Sequence, residues 1–205
     1  MSQKYNIDKN DNLICEFTKG SVRHRLVYGG GRNQSLPKAV GMTKGRTPNI
    51  VDATAGLGKD SFLLASLGAR VTLIERSPEI HGLLHDGMLR AIRAGGITAE
   101  IVGRMTLIMG DSIDLLPKLK PEVVLVDPMH PARKNSALVK KEMILVRQIV
   151  GNDRDCADLM RVALSVATKR VVLKWPKGGN VIRNIQLPSH QLSGKTTRYD
   201  VFMIS

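Results

Sequence analysis

The stretch Val51-Asp-Ala-Thr-Ala-Gly-Leu-Gly-Lys-Asp60 constrains this chain more than any other. Asn49-Ile50-Val51 reads as the end of a buried strand, Gly56 and Gly58 make a tight turn, and Ser61–Leu67 carries a helical pattern closed by Gly68. Strand, glycine turn and helix are the parts of a cofactor cradle, because glycine admits a ligand close to the backbone and the helix start offers unpaired N–H groups.

The rest of the chain repeats the alternation. Strands are expected at Arg70–Glu75, Met105–Met109, Glu122–Asp127 and Lys169–Lys174, with one or two more between Val181 and Ser205. Leu13–Phe17 reads as a further strand. Ser77-Pro78-Glu79 opens a helix that Gly95-Gly96 stops, Ile113–Leu119 is a short helical turn, and helices are expected over 136–150 and 155–168. This pattern predicts an α/β fold with a doubly wound, mostly parallel sheet. A short basic N-terminal segment, 1–48, precedes the main domain, 49–205, within one globular unit. Aromatics are 3% of the residues, so the core is built from Val, Ile, Leu, Ala and Met.

In such sheets ligands sit at the carboxyl ends of the strands. Asp52, Glu75, Asp111 and Asp127 end four successive strands, with Asp60 just past the glycine turn. Gly58-Lys59-Asp60 lacks the spacing and hydroxyl of a phosphate-binding P-loop, and Ser61 stands where a dinucleotide fingerprint needs its third glycine. A pyrophosphate is repelled by Asp52 and Asp60; a cationic sulfonium is not. Glu75, at the tip of the second strand, suits the two ribose hydroxyls, and Asp111-Ser112 the adenine amino group. The set favours S-adenosylmethionine over a nicotinamide dinucleotide.

Asp127-Pro128-Met129-His130-Pro131 follows the fourth strand. The lone pair of an exocyclic base amine is delocalised into the ring. A carboxylate and a backbone carbonyl that accept its two N–H bonds direct that lone pair at a methyl group, and proline stiffens the loop. Asp127 is the candidate for this role, with the backbone of Pro128 and Met129 beside it and His130 as a possible proton acceptor.

The net charge of +13 is uneven: +6 in residues 1–50, +6 in 168–205 and +1 between. Basic flanks on a near-neutral middle point to a polyanion, most simply nucleic acid. Arg133-Lys134 and Lys140-Lys141 lie just past the Asp127 loop, and Gly29-Gly-Gly-Arg32 offers N–H groups and Arg32 to a phosphate. Cys15 and Cys156 read as reduced thiols, and His81 and His85 lack a third ligand, so no metal is expected. No secretory signal and no membrane span is evident, which predicts a cytoplasmic protein.

The stretches HRLVYGGGR, KAVG, VDATAGLGKD, LIER, VDPMHPARKNSALVKKEM and ATKRVVLKWP closely resemble the RsmJ family, small-subunit (16S) ribosomal RNA guanine-N2 methyltransferases. The resemblance runs from about residue 14 to the C-terminus. It implies a Rossmann-like class I methyltransferase fold of seven strands and methyl transfer from S-adenosylmethionine to N2 of a guanosine. Ribosomal RNA or the small subunit is the implied partner, and a monomer is expected. It implies cofactor contacts at Lys59, Asp60, Glu75, Arg76, Asp111, Ser112 and Asp127, beside Asp52, Gly56 and Gly58 of the strand and turn. The RNA contacts expected are Arg25, Arg32, Arg133, Lys134, Lys140, Lys141, Lys174 and Trp175. His130 stands where the family carries Phe, and His130 and Trp175 both remain candidates for stacking on the base. An adenine-N6 or protein-amine methyltransferase, or a non-enzymatic rRNA-binding assembly factor, are the alternative readings.

Overall fold

β1 (Ile50–Asp52) and β4 (Val123–Val126) are buried at every position and run side by side in parallel. Strands of this kind need cover on both faces. The computed structural model describes residues 13–20, 31–43, 45–129, 145–146, 149, 155–182, 184–194 and 196–205. Among these, seven strands form one sheet in the order β3-β2-β1-β4-β5-β7-β6. β2 (Val71–Glu75), β3 (Met105–Met109) and β5 (Arg170–Pro176) complete the parallel part. β7 (Thr197–Met203) pairs antiparallel with β5, and β6 (His190–Ser193) with β7.

Side chains alternate along each strand, so the sheet carries two cores. On one face Ile50, Leu73, Leu125 and Val172 pack against Phe62 and Leu64 of α2 (Lys59–Ser66) and Ile80 and Leu84 of α3 (Pro78–Ala94). On the other, Val51, Ile74, Val124, Val126 and Leu173 meet Leu116 of α5 (Ser112–Leu119) and Leu159 and Met160 of α6 (Cys156–Val166). Helices on both faces make the sheet doubly wound, as expected. Leu36, Ala39 and Val40, in and after α1 (Ser35–Ala39), join the first core, so the described part of residues 1–48 shares the core of the main domain.

α3 begins as its sequence dictates. Ser77 Oγ accepts from Ile80 N, Pro78 holds the first helical position, and Glu79 lies in the first turn. Gly95, at φ 71°, ends it, but Gly96 starts α4 (Gly96–Val102) at once, since Ile101 and Val102 still have core to fill. Leu13–Phe17 is not a strand. Its side chains serve as plugs: Phe17 stacks on Phe62 at 4.9 Å between centroids, and Cys15 Sγ donates to Leu57 O. Arg90 supplies the donor for Cys15 O that a neighbouring strand would have given. The helix expected over 136–150 lies outside the described residues except at Leu145, Val146 and Ile149, which are helical. Among the described residues no helix is long and apolar enough to cross a membrane.

Candidate functional site

The strand order reverses direction between β1 and β4, where a doubly wound sheet opens its ligand crevice. A cleft of about 590 Å³, open to solvent, lies there. Gly56, Glu75, Asp111, Asp127, Met129 and Asp155 line it, with Ile74, Ile113 and Leu159 as apolar wall.

The glycine turn is shaped by what its two glycines face. Gly58 caps α2 at φ 67°, and a Cβ there would lie 2.8 Å from Leu84 Cδ1 and 3.3 Å from Phe17, so this glycine lets the turn sit down on the core. Gly56, at φ 53°, looks into open space and lines the cleft, leaving its backbone approachable. Glu75, 6% exposed, ties the turn to β2: Oε2 accepts from Gly56 N at 2.8 Å and Oε1 from Ser77 N at 2.9 Å. Each oxygen keeps a second lone pair.

At the end of β3, Asp111 caps α5 by accepting from Ile113 N at 2.8 Å. Ser112 Oγ donates to Ala53 O at 2.7 Å, fastening this loop to the end of β1. Arg76 donates to Asp155 Oδ2 at 2.6 Å and lies 3.8 Å from Asp111 Oδ2. It thus holds the start of α6 across the cleft.

Three carboxylates gather on the α2 face. Asp52 is buried, accepts from Ser61 Oγ at 2.5 Å and from Thr54 N at 3.2 Å. Burial pushes its pKa up to about 7 against those two hydrogen bonds, and the charges of Asp60 and Asp127 add to the rise. Asp127 is anchored through its N–H to Thr54 Oγ1 at 2.6 Å. Lys174 Nζ joins the pair, donating to Asp60 Oδ2 at 2.7 Å and to Asp127 Oδ2 at 2.6 Å. Burial works against the charge on Lys174, yet Asp127 and Asp60 outweigh it and hold the ammonium well above the usual lysine range.

Gly56, Glu75, Arg76, Asp111, Ser112, Asp127 and Met129 therefore meet in the cleft, with Pro128 buried in the loop between two of them. Asp52 and Asp60 lie behind Asp127, while Gly58 faces the core and Lys59 starts α2. Three expected RNA contacts need correction. Lys174 is committed to two carboxylates. Trp175, the next residue along β5, points to the opposite face of the sheet, packs with the α6-side core and donates from Nε1 to Asn180 O. Arg32 donates to the carbonyls of Thr43, Arg46 and Leu67 and to Thr47 Oγ1, which tie the chain down at the amino end of the sheet, away from the cleft. Arg25, His130, Arg133, Lys134, Lys140 and Lys141 lie outside the described residues. No group of three or more metal-ligating side chains occurs among the described ones.

Sequence reasoning missed Thr54, Ser61 and Asp155. Thr54 stands inside the opening glycine stretch and Ser61 directly after it, and both were readable as hydroxyl partners for the nearby acids. Asp155 reaches the cleft only through its pairing with Arg76, 79 residues away.

Comparisons with known proteins place this geometry. Residues 2–204 match the family model described as "Putative SAM-dependent methyltransferase". A protein of Agrobacterium fabrum named ribosomal RNA small subunit methyltransferase J is 61% identical over 197 residues, 96% of this chain and 95% of that protein. A protein of the same name from Brucella anthropi is 60% identical over 203 residues, 99% of this chain and 98% of its own. The crystal structure of a SAM-dependent methyltransferase from Neisseria gonorrhoeae superposes with a TM-score of 0.74 at 36% identity, over 94% of this chain and 74% of that one.

Proposed function

The chain belongs to the SAM-dependent methyltransferase family, and from that premise we propose that it methylates the exocyclic N2 of a guanosine in small-subunit ribosomal RNA. The names of its high-identity relatives support the rRNA part of this reading. The observation that carries the amine part is Asp127, a fixed carboxylate at the end of β4 in the cleft that Glu75 and Gly56 also line.

The residues fit S-adenosylmethionine. Gly56 lines the cleft without a side chain, so its backbone would be open to the cofactor. The lone pairs left on Glu75 match a ribose diol, the wall of Ile74, Ile113 and Leu159 matches an adenine ring, and the acids suit the sulfonium and ammonium of the methionine moiety. When bound, the cofactor supplies an electrophilic methyl group on a sulfonium. The chain does the rest by placement. Asp127 accepts one N–H of the target amine, which turns the nitrogen lone pair away from the base plane and toward the methyl group. Thr54 Oγ1 pins the Asp127 backbone, and buried Pro128 limits the loop, so the acceptor is placed before substrate arrives. On transfer the sulfur–methyl bond would break as the nitrogen–methyl bond forms, leaving a neutral thioether, and the nitrogen would give up one proton to solvent.

The purified protein, given methyl-labelled cofactor and small-subunit rRNA, is expected to label a single nucleotide that mass spectrometry identifies as N2-methylguanosine. Label on an adenosine, or on protein alone, contradicts the reading.

A further inference from the structure

Lys174 was expected to hold RNA, and the fold turns it inward instead. β5 pairs with β4 on one side and β7 on the other, with Val126 opposite Leu173 and Lys174 opposite Tyr199, so the lysine stands on a backbone held from both sides. One step beyond the Val126–Leu173 pair, Asp127 and Lys174 leave adjacent strands toward the same face. That face is the one α2 covers, and Asp60 lies in the first turn of α2. The ammonium therefore touches one carboxylate at the end of β4 and one just past the glycine turn, at 2.6 and 2.7 Å. Both contacts are charge-assisted and short. Asp52 stands behind them as a third acid, so the cluster holds more negative groups than Lys174 alone can match.

We propose that Lys174 is a positioning residue for methyl transfer, which fixes Asp127 as an aimed acceptor for the target amine by locking it to Asp60 beside the glycine turn. The proposal rests on the assignment of Asp127 as that acceptor. Without the ammonium, Asp60 and Asp127 lose the group that bridges them, and Asp127 can rotate away. A misaimed Asp127 no longer directs the amine lone pair. Lys174 donates to Asp127 and Asp60 and not to Glu75, Gly56 or the apolar wall of the cleft. Lys174 also joins the two halves of the reaction: Asp60 lies just past the glycine turn and Asp127 opens the loop after β4. An ammonium shared between them keeps their spacing constant.

The test separates this role from the RNA contact read in the sequence. K174M, K174Q and K174R are assayed at saturating cofactor over a range of rRNA concentrations, with rates normalised to calorimetrically counted cofactor sites so that only folded chains are compared. Positioning lowers kcat in K174M and K174Q by roughly 100-fold, with KM for rRNA and cofactor Kd each within about threefold. K174R, which keeps the charge, regains most of the loss. A rise in KM with kcat unchanged overturns the proposal in favour of a phosphate contact, and a kcat within about twofold of wild type in both neutral variants overturns it outright. Mapping the methylated base in the same products keeps the substrate reading separate. A wild-type product other than N2-methylguanosine refutes that reading, while the kcat comparison still reports on Asp127.

Discussion

At the amino end of the sheet, Glu122 accepts from Arg46 at 2.8 Å and from Asn49 N at 3.2 Å, with Lys169 at 3.5 Å. At the carboxyl end, Asp52, Asp60 and Asp127 crowd around Lys174. Burial works to raise the pKa of Glu122, yet Arg46, Asn49 N–H and Lys169 hold it below the usual carboxylate range. Burial pushes Asp52 up to about 7, and its acidic neighbours push the same way. At one end a single acid is met by two cations, and that pairing is scaffold. The other gathers three acids around one lysine. A site that receives a cation and an amine needs that imbalance, and the fold tolerates it at the strand ends, where the glycine turn keeps the backbone open.

The comparison breaks most severely at Asp127. Asp127→Ala is expected to lower methyl transfer roughly 1,000-fold while the cofactor dissociation constant stays within about threefold. Turnover near wild type in a chain that still binds cofactor would remove the amine from this end of the sheet.

A smaller effect sharpens the imbalance itself. Asp52 binds its proton more tightly folded than unfolded, where its pKa is 3.8. Asp52 therefore contributes stability to the unliganded protein that is lost as pH rises from about 4 to about 7, with no further loss above. The loss amounts to at most about 4 kcal/mol. Asp52→Asn is expected to remove this fall, read from urea midpoints at pH 4.5 and pH 8. An unchanged pH dependence would mean that Asp52 ionises at no cost.

The smallest effect belongs to the matched end. Arg46 is 44% exposed in its side chain, so Arg46→Ala is expected to cost under about 1 kcal/mol. That lowers the melting temperature by less than about 4 °C. Turnover is expected to match wild type, and a tenfold loss would show that the two ends are coupled.

The acids at four strand ends were legible because strand, turn and helix start are written within ten residues of each other. The glycine turn, the capped start of α3 and the continuous apolar run of β4 are local features in the same sense. Lys174 was not legible, since its partners arrive from strands and helices 47 and 114 residues away. Trp175 was misread for want of a count of two. Along β5, Val172 and Lys174 face one core while Leu173 and Trp175 face the other, so lysine and tryptophan cannot both meet the Asp127 loop. Arg32 looked like a phosphate ligand because a glycine-rich loop precedes it, yet its donors close four acceptors at the far end of the sheet. A guanidinium near glycines is recruited by whichever acceptors the fold brings close, and neither glycine nor arginine specifies which end that will be.

The central claim is that the cleft between the glycine turn and Glu75 holds the cofactor. Calorimetric titration of S-adenosylmethionine into wild type and Glu75→Gln tests it directly. One cofactor per chain in wild type, weakened by roughly 10- to 100-fold in the variant, is the expected result. Equal affinity in the two proteins would contradict it.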